Sequence, residues 1–383
     1  MATNIFLKGY QWPFDPQRIE NLQSSLVDIL VFNETQKGRR VFMDFLRNPV
    51  GGDSSQSSGG MEAFDIKKLE PEAREYLEKA GALQVTPIER LAAMNPPAIE
   101  IYKENGIDLY AEPLEIAVCA QHNNGGFAVN KWWESNIPGT FIIGEMAGTH
   151  GVKRPGGSAL NAGQVGGLRA AEYIVNVYGC QVPDYSSDEP QIDQQVAQLI
   201  AKFKGYKVSA GPMPKQVIKE IKSRMTASAG HIRGLSDAAQ ALKKALELYR
   251  VIEEKGFSLY GKKDIVWAIR AEHLALTSVA YLNAIVELLK QGGGSRGSHL
   301  VVTDDGIEIH PDIIAQTTGK ALRFKPEDQS LRDSVLRVEY DDSLRSLFRC
   351  ENAKLRAAPC DRRAFEPAWR DFREGKIYRD NGG

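Results

Sequence analysis

The stretch GTHGVKRPGGSALNAGQVGGLRAA, residues 148–171, places seven glycines, three basic residues and one histidine before and within the first turns of a predicted helix. Glycine has no side chain, so it lets the backbone approach a ligand closely. The positive end of the helix would point into the loop and favour negative charge there. The stretch therefore predicts a binding loop for a flat or anionic ligand. The alternative is a glycine-rich connection without a ligand, since glycine patterns alone are weakly specific.

The segment in front of this loop, TFIIGEMAG (residues 140–148), predicts an apolar strand that ends at Gly144 and Glu145. An acidic residue at the carboxyl end of a parallel strand commonly accepts hydrogen bonds from the hydroxyl groups of a nucleotide or cofactor. A reduced flavin carries negative charge on its pyrimidine edge, which suits the start of a helix. The pattern favours a flavin.

Composition excludes several other classes of protein. The chain has 383 residues, 42% hydrophobic and 25% charged, with a net charge of -1. This balance is typical of a soluble globular protein of two or three domains and gives no reason to expect nucleic acid as a partner. No apolar run reaches the roughly 18 residues of a membrane span, and the N-terminus has no signal-peptide pattern, so we expect a cytoplasmic protein. The four scattered cysteines predict reduced thiols, and no spacing of ligands predicts a metal.

Periodicity divides the chain into four predicted parts. The second part alternates short strands with glycine turns, and the third is almost wholly helical from residue 186 to 291. The last part opens with HLVVTDDGIEIHP, which predicts a hairpin with Asp305 and Gly306 in its turn. The predicted boundaries are 1–115, 116–180, 186–295 and 296–383.

Several ordered motifs resemble the flavoprotein family of fumarate reductase and succinate dehydrogenase. In the flavin domain they are His122 with Gly125-Gly126, IPGTFIIGE, HGVKR and GGSAL. Residues 223–248 resemble the opening of the family's helical domain, and ELLKQGGGSRGSHLV resembles its close. NETQKGRRVFMDF, residues 33–45, resembles part of the capping domain. The motifs follow the family's order over about residues 30–300.

This resemblance implies an FAD-dependent oxidoreductase. The implied fold is α/β plus α: the C-terminal return of a Rossmann-like FAD domain (116–180), a partial capping domain (1–115), a helical domain (186–295) and a C-terminal α+β extension (296–383). The residues that the resemblance assigns to the cofactor are Gly144, Glu145, Gly156, Gly157, Ser158, Ala159 and Leu160. The family has a serine where this chain has Ala159, so a backbone contact would survive at this position and a hydroxyl contact would not.

The resemblance also implies a small carboxylic acid as the substrate, and the example of the family favours one with two carboxylates. His122 and Arg154 would hold the carboxylates, because arginine offers a rigid two-pronged donor and histidine a further one. Hydride would then pass between the flavin N5 atom and the substrate, as in fumarate reduction or succinate oxidation.

The chain departs from the family at three places. One residue fewer separates His122 from Gly125-Gly126, no arginine aligns with the family's proton donor, and Gly294 replaces a glutamate. In addition, no GxGxxG opens a βαβ unit, although this motif holds the FAD pyrophosphate in the family. We therefore expect the chain to need an upstream FAD-binding segment, and an electron-donor protein is a second expected partner.

Two other functions stay open at this stage. A related enzyme of the same superfamily, such as aspartate oxidase or adenylylsulfate reductase, would share these motifs. A non-catalytic remnant or partner-binding subunit would keep the capping and helical parts without the chemistry. The exact substrate, the direction of reaction and the oligomeric state do not follow from the sequence.

Overall fold

Long helices joined by short strands make up the computed structural model. It describes residues 2–11, 13–19, 21–49, 65–119, 125–152, 157–179, 186, 188–206, 211–315, 319–355 and 365–378. The helices are α1 (Ala2–Lys8), α2 (Leu26–Gln36), α3 (Pro71–Lys79), α4 (Pro87–Met94), α5 (Pro96–Glu104), α6 (Ser158–Tyr173), α7 (Glu189–Gly205), α8 (Pro214–Ala229), α9 (Leu235–Lys255), α10 (Asp264–Lys290) and α11 (Phe365–Arg373). The strands are β1 (Val41–Met43), β2 (Leu114–Ile116), β3 (Ile232–Arg233), β4 (Leu300–Glu308), β5 (Arg323–Lys325), β6 (Ser334–Tyr340) and β7 (Phe348–Lys354).

The mixed α and β class is confirmed, and the finer division into a Rossmann-like, a capping and a helical domain stays a prediction. The chain separates into two units, one formed by Met1–Ala120 with Gly294–Glu327 and the other by Gln121–Gly293 with Asp328–Gly383. Within the described residues, no helix is both long enough and apolar enough to cross a membrane.

Small apolar clusters hold the first unit. One is centred on Leu7 of α1, which packs with Ala73 and Leu77 of α3. Helix α4 begins with a capping box in which the Thr86 hydroxyl accepts from the Glu89 amide and the Glu89 carboxylate accepts from the Thr86 amide. The predicted break at the proline pair is confirmed, because α4 ends at Met94 and α5 begins at Pro96.

The predicted hairpin at Asp305 and Gly306 is wrong. Residues 300–308 form one strand, β4, which pairs antiparallel with β5 and shifts register between Val302 and Ile307. A Cβ atom at Gly306 would lie 2.3 Å from the carbonyl oxygen of Phe324. The glycine is therefore explained by the close approach of β5 at a strand irregularity, and the turn residues of a hairpin look alike in sequence.

Helices α8, α9 and α10 form the core of the second unit, which confirms the helical prediction for this region. Ala268, Ala271 and Ala275 of α10 are fully buried at a spacing of three and four residues, and Leu282 continues the same pattern. Small side chains let the neighbouring helices come close, and each fully buried leucine stabilises the fold by roughly 1.5–3 kcal/mol.

The antiparallel ribbon of β6 and β7 packs on α10. The Asn283 side-chain amide of α10 donates to the Ser346 carbonyl oxygen in the ribbon's turn at 3.2 Å. At the other end, the Asn352 side-chain amide donates to the Gln291 side-chain oxygen at 2.8 Å. Both ends of the ribbon are thereby tied to the same helix.

Candidate functional site

A hairpin between residues 133 and 142 precedes the glycine-rich loop. The Ile142 amide donates to the Trp133 carbonyl oxygen at 2.9 Å, and the Ser135 amide donates to the Thr140 carbonyl oxygen at 2.9 Å. The Asn130 side chain accepts from the Trp132 amide at 2.8 Å and thereby fixes the turn that leads into the hairpin.

The expected parallel strand over TFIIGEMAG is not a regular strand. Phe141 forms an antiparallel bridge with Glu134, Gly144–Met146 is a 3₁₀ turn, and Ala147 forms a parallel bridge with Phe127. Gly144 has φ +75°, a left-handed conformation that interrupts extended pairing. The segment thus offers isolated bridges, because the backbone turns at the residue that we expected to end the strand.

A second close approach of backbone holds the far side of this turn. The Phe127 amide donates to the Met146 carbonyl oxygen at 2.8 Å, and the Gly148 amide donates to the Phe127 carbonyl oxygen at 3.0 Å. A Cβ atom at Gly126 would lie 2.3 Å from the Met146 carbonyl oxygen. Only glycine fits at residue 126 without a shift of the backbone.

Helix α6 begins beside the Gly144–Met146 turn. Its N-cap, Gly157, has φ +77°, and Ser158, Ala159 and Leu160 form the first turn. Further along α6, a Cβ atom at Gly163 would lie 3.7 Å from the Cα atom of Gly144, which is ordinary contact. The start of α6 and the turn with the glutamate are therefore neighbours, as the sequence predicts.

Apolar side chains are exposed around the start of α6. The exposed fraction is 77% for Leu160 and 63% for Met146. The remaining members of this exposed surface are Ile143, Val165 and Leu168. Such a group of large apolar side chains is typical of a surface that another molecule covers.

The C-terminal half of α6 is held by aromatic stacking. The buried Trp132 ring stacks between the rings of Tyr173 and Tyr378, each with its centroid 5.2 Å away. The Arg169 guanidinium lies 4.5 Å from the Trp132 ring centroid and donates to the Lys131 carbonyl oxygen at 3.0 Å. Burial lowers the pKa of Arg169, and the nearby Tyr378 phenol opposes that shift. These contacts fix the helix against the hairpin.

A buried carboxylate braces the same hairpin. Glu134 accepts from the Gly139 amide at 2.9 Å and from the Tyr178 hydroxyl. The hydrogen bond to Glu134, followed by burial, raises the pKa of Tyr178. Since both partners of Glu134 satisfy one of its oxygens, we interpret it as a structural residue that connects the hairpin to the end of the helix.

The predicted site residues fall into two groups. Gly144, Glu145 and the first turn of α6 lie next to each other, with the Glu145 side chain on the surface. His122, Arg154 and Gly156 lie outside the described residues, so their roles stay predictions.

Sequence reasoning missed the residues that set the distance between α6 and the hairpin. A Cβ atom at Gly166 would lie 2.7 Å from the Trp133 Nε1 atom. The signal was present as glycines at 163, 166 and 167, since glycines repeated along one helix allow close packing. In the described part of the chain, no group of three metal-binding side chains occurs.

GGGSRG, residues 292–297, has the spacing of a GxGxxG motif but does not follow a strand. It lies between the end of α10 at Lys290 and the start of β4 at Leu300. The dinucleotide-binding motif requires a strand before it and a helix after it. This stretch therefore does not supply the pyrophosphate site.

Comparison with known proteins gives relatives but no matching family model. The chain is 28% identical over 208 residues to the L-aspartate oxidase of Bacillus subtilis, which covers 53% of this chain and 34% of that protein. It is 26% identical over 214 residues to one polypeptide of the CoM/CoB fumarate reductase of Methanothermobacter marburgensis, which covers 54% and 36%. An uncharacterized FAD-dependent oxidoreductase of Methanocaldococcus jannaschii is 25% identical over 255 residues, 65% and 39%.

Solved structures show a related fold. An E. coli quinol fumarate reductase superposes with a TM-score of 0.56 at 16% identity, over 87% of this chain and 57% of that chain. The Mycobacterium smegmatis Sdh1 complex superposes with a TM-score of 0.50 at 22% identity, over 70% and 41%.

The class that these findings define is that of the flavoprotein oxidoreductases. Homologues of this chain are L-aspartate oxidases and fumarate reductase flavoproteins, and the resemblance seen in the sequence is confirmed. The chain matches about a third of the length of the curated relatives.

Proposed function

We propose that this chain carries the flavin-ring side and the substrate side of an FAD-dependent oxidoreductase. The observation that carries the proposal is the start of α6, where Gly157 and the exposed Leu160 lie beside Gly144 and Glu145. FAD, when bound, supplies the atom N5 that gives or takes a hydride. The residues of this chain bind the cofactor, orient the substrate and stabilise charge.

The residues at the start of α6 fit a flat, partly anionic ring. Gly144 and Gly157 both have left-handed backbone and add no side chain to the surface. The backbone amides of Ser158 and Ala159 lie in the first turn, where a helix stabilises negative charge. This supports a contact with the pyrimidine edge of a reduced flavin.

The neighbouring surface fits the rest of the cofactor. Leu160 and Met146 expose apolar side chains on which an aromatic ring can pack, and Glu145 presents a carboxylate to solvent. A carboxylate accepts hydrogen bonds from hydroxyl groups, and such a charge-assisted bond contributes roughly 1.5–3 kcal/mol. Glu145 is therefore our candidate for the hydroxyl groups of FAD.

Arg154 and His122 are our candidates for the substrate. The Arg154 guanidinium would hold one carboxylate through two parallel hydrogen bonds, and His122 would donate a further one. Binding of this kind draws electron density toward the carboxylate and makes the adjacent alkene carbon a better hydride acceptor.

We propose a dicarboxylic acid as the substrate class. The names of the relatives contain fumarate and L-aspartate, which are both four-carbon acids with two carboxylates. Reduction of an unsaturated dicarboxylate is the first candidate reaction. Oxidation of an amino dicarboxylate is the second, and the similarity to the B. subtilis L-aspartate oxidase supports it.

The experiment that tests this proposal measures FAD retained by Glu145→Gln and by a matched control, Glu100→Gln. Glu100 is an exposed glutamate of α5. Each chain is expressed alone and together with the GxGxxG region of the B. subtilis L-aspartate oxidase, and bound flavin is read from the visible spectrum. We expect the chain alone to be colourless, because the site lacks contacts to the pyrophosphate.

With the added region, we expect wild type and Glu100→Gln to be yellow, and Glu145→Gln to bind FAD about 10–150-fold more weakly. Equal retention by the two variants would show that Glu145 does not contact the cofactor. No flavin in any sample, with folded protein by circular dichroism, would refute the flavin proposal itself. Addition of fumarate or L-aspartate to the yellow protein then separates the two candidate reactions by bleaching or by recovery of the oxidised spectrum.

A further inference from the structure

Helix α7 exposes an apolar stripe along its length. Not one of its 17 residues is buried. The four aliphatic side chains Ile192, Val196, Leu199 and Ile200, which we term the α7 stripe, are 47%, 49%, 53% and 48% exposed. Their spacing of four, three and one residues places them on one face of the helix.

The C-terminal end of α7 is attached to the rest of its unit. The Lys202 ammonium and the Tyr206 hydroxyl both bond to the Glu272 carboxylate of α10. The Tyr206 ring in turn contacts Phe203 and Phe257, with centroid distances of 5.5 and 5.7 Å. The end of the helix is thus fixed, while the α7 stripe, which precedes it, stays in contact with solvent.

A helix of this length is marginal in water without tertiary packing. In globular proteins an apolar stripe of this kind faces a core or a partner. Ile192, Val196 and Leu199 follow the spacing of four and three that produces the seam of a coiled coil. The α7 stripe therefore has the geometry of a helix–helix interface with one helix present.

We propose that the α7 stripe is a self-association surface on which α7 of a second copy of this chain packs antiparallel. The charges of the helix favour that partner and that direction. Asp188, Glu189 and Asp193 lie at its start, and Lys202 and Lys204 lie in its last turn. Antiparallel packing sets the acidic end of each helix along the basic end of the other, whereas parallel packing sets like charges together.

Two-fold symmetry makes such a contact self-complementary. In the antiparallel register, Val196 of one copy faces Leu199 of the second copy, and the reverse contact occurs at the same time. Four half-exposed side chains are far fewer than the roughly 20–30 residues of a stable interface side. We therefore expect a weak dimer whose population rises with protein concentration. This association does not depend on the proposed flavin chemistry.

The test is sedimentation equilibrium of the full chain over a hundredfold range of concentration. Val196→Glu places a charge in the seam, and Gln194→Glu adds the same charge on the opposite face of the same helix. We expect the dimer dissociation constant to rise about tenfold or more for Val196→Glu and to stay unchanged for Gln194→Glu. A wild-type chain that is monomeric at every concentration overturns the proposal, and so does a dimer that Val196→Glu leaves intact.

A charge reversal tests the direction of packing. Asp193→Lys places a positive charge along the basic end of the other copy in the antiparallel dimer and weakens it. In a parallel dimer, the same change would replace repulsion by attraction and tighten the association, which would refute the antiparallel arrangement. Far-ultraviolet circular dichroism of each variant confirms that its helices are retained, since the substituted residues are exposed.

Discussion

Replacement of Gly166 by alanine tests how closely α6 is held to the hairpin. The added Cβ atom would lie 2.7 and 2.8 Å from the Nε1 and Cε2 atoms of Trp133, a distance that real Cβ contacts do not adopt. Trp133 has little freedom to move, because its backbone has φ +64° and its carbonyl oxygen accepts the Ile142 amide in the hairpin. The helix or the indole ring has to shift.

The control is Gly167→Ala, one residue further along the same helix. Its added Cβ atom would lie 3.9 Å from the Ile143 Cγ2 atom, which is ordinary contact. Both substitutions gain the same helix propensity, about 0.5–1 kcal/mol. Their difference therefore isolates the overpacking at Trp133, which costs about 1–3 kcal/mol.

The assay is urea unfolding followed by tryptophan emission, with far-ultraviolet circular dichroism as a second probe. We expect Gly167→Ala to unfold at the same or a higher urea concentration than wild type, and Gly166→Ala to be about 1–3 kcal/mol less stable than Gly167→Ala. We also expect an altered emission maximum in the folded state, because Trp133 contacts the substituted residue. Equal stability of the two variants would refute the close packing of α6 on the hairpin.

Three further predictions concern the site and the attachment of α7. In the flavin-loaded protein, Arg154→Ala should abolish turnover of dicarboxylates and leave bound FAD unchanged, since loss of a buried charge pair costs about 2–5 kcal/mol; near-normal turnover would contradict the assignment. Leu160→Glu should raise the free energy of unfolding by about 0.3–1 kcal/mol through the N-terminus of α6 and yet prevent FAD binding, and unfolding and flavin titration separate these effects. Burial and the Glu272 carboxylate raise the pKa of Tyr206 to about 12. The stability that Tyr206 contributes is therefore complete below about pH 10, the pKa of the unfolded chain, and is lost as pH rises through about 12. The stability difference between wild type and Tyr206→Phe, measured by urea unfolding at several pH values, should shrink over that range.

The helices could be predicted from the sequence because each has a local signal. Prolines at residues 87 and 96 mark helix starts, and the buried alanines of α10 recur at helical spacing. The position of the glycine-rich loop before α6 was predictable for the same reason, since a left-handed N-cap at Gly157 needs glycine. These features depend on neighbours within a few residues.

Features that depend on distant partners could not be predicted. Gly306 reads as a turn residue, but it is required by the Phe324 carbonyl oxygen across the ladder. Trp132 meets Tyr378 across 246 positions of the chain, and no local pattern pairs the two rings. The same sequence letters serve a turn or a close strand, and only the tertiary partner distinguishes them.

The close contacts around the candidate site indicate how its geometry is kept. Gly126 meets the Met146 backbone, Gly163 meets Gly144, and Gly166 meets Trp133, so the loop is positioned by contacts that would not tolerate or need a side chain. Backbone held in this way has few alternative rotamers to sample, which keeps helix amides aimed in one direction before a ligand arrives. The side chains that remain exposed there are apolar, apart from the Glu145 carboxylate, and this combination is what a ring with one polar edge requires. A rigid glycine frame with an exposed apolar surface therefore fits a cofactor better than a connection that serves the fold alone, because an apolar surface without a ligand or partner would lower solubility and contribute nothing to stability.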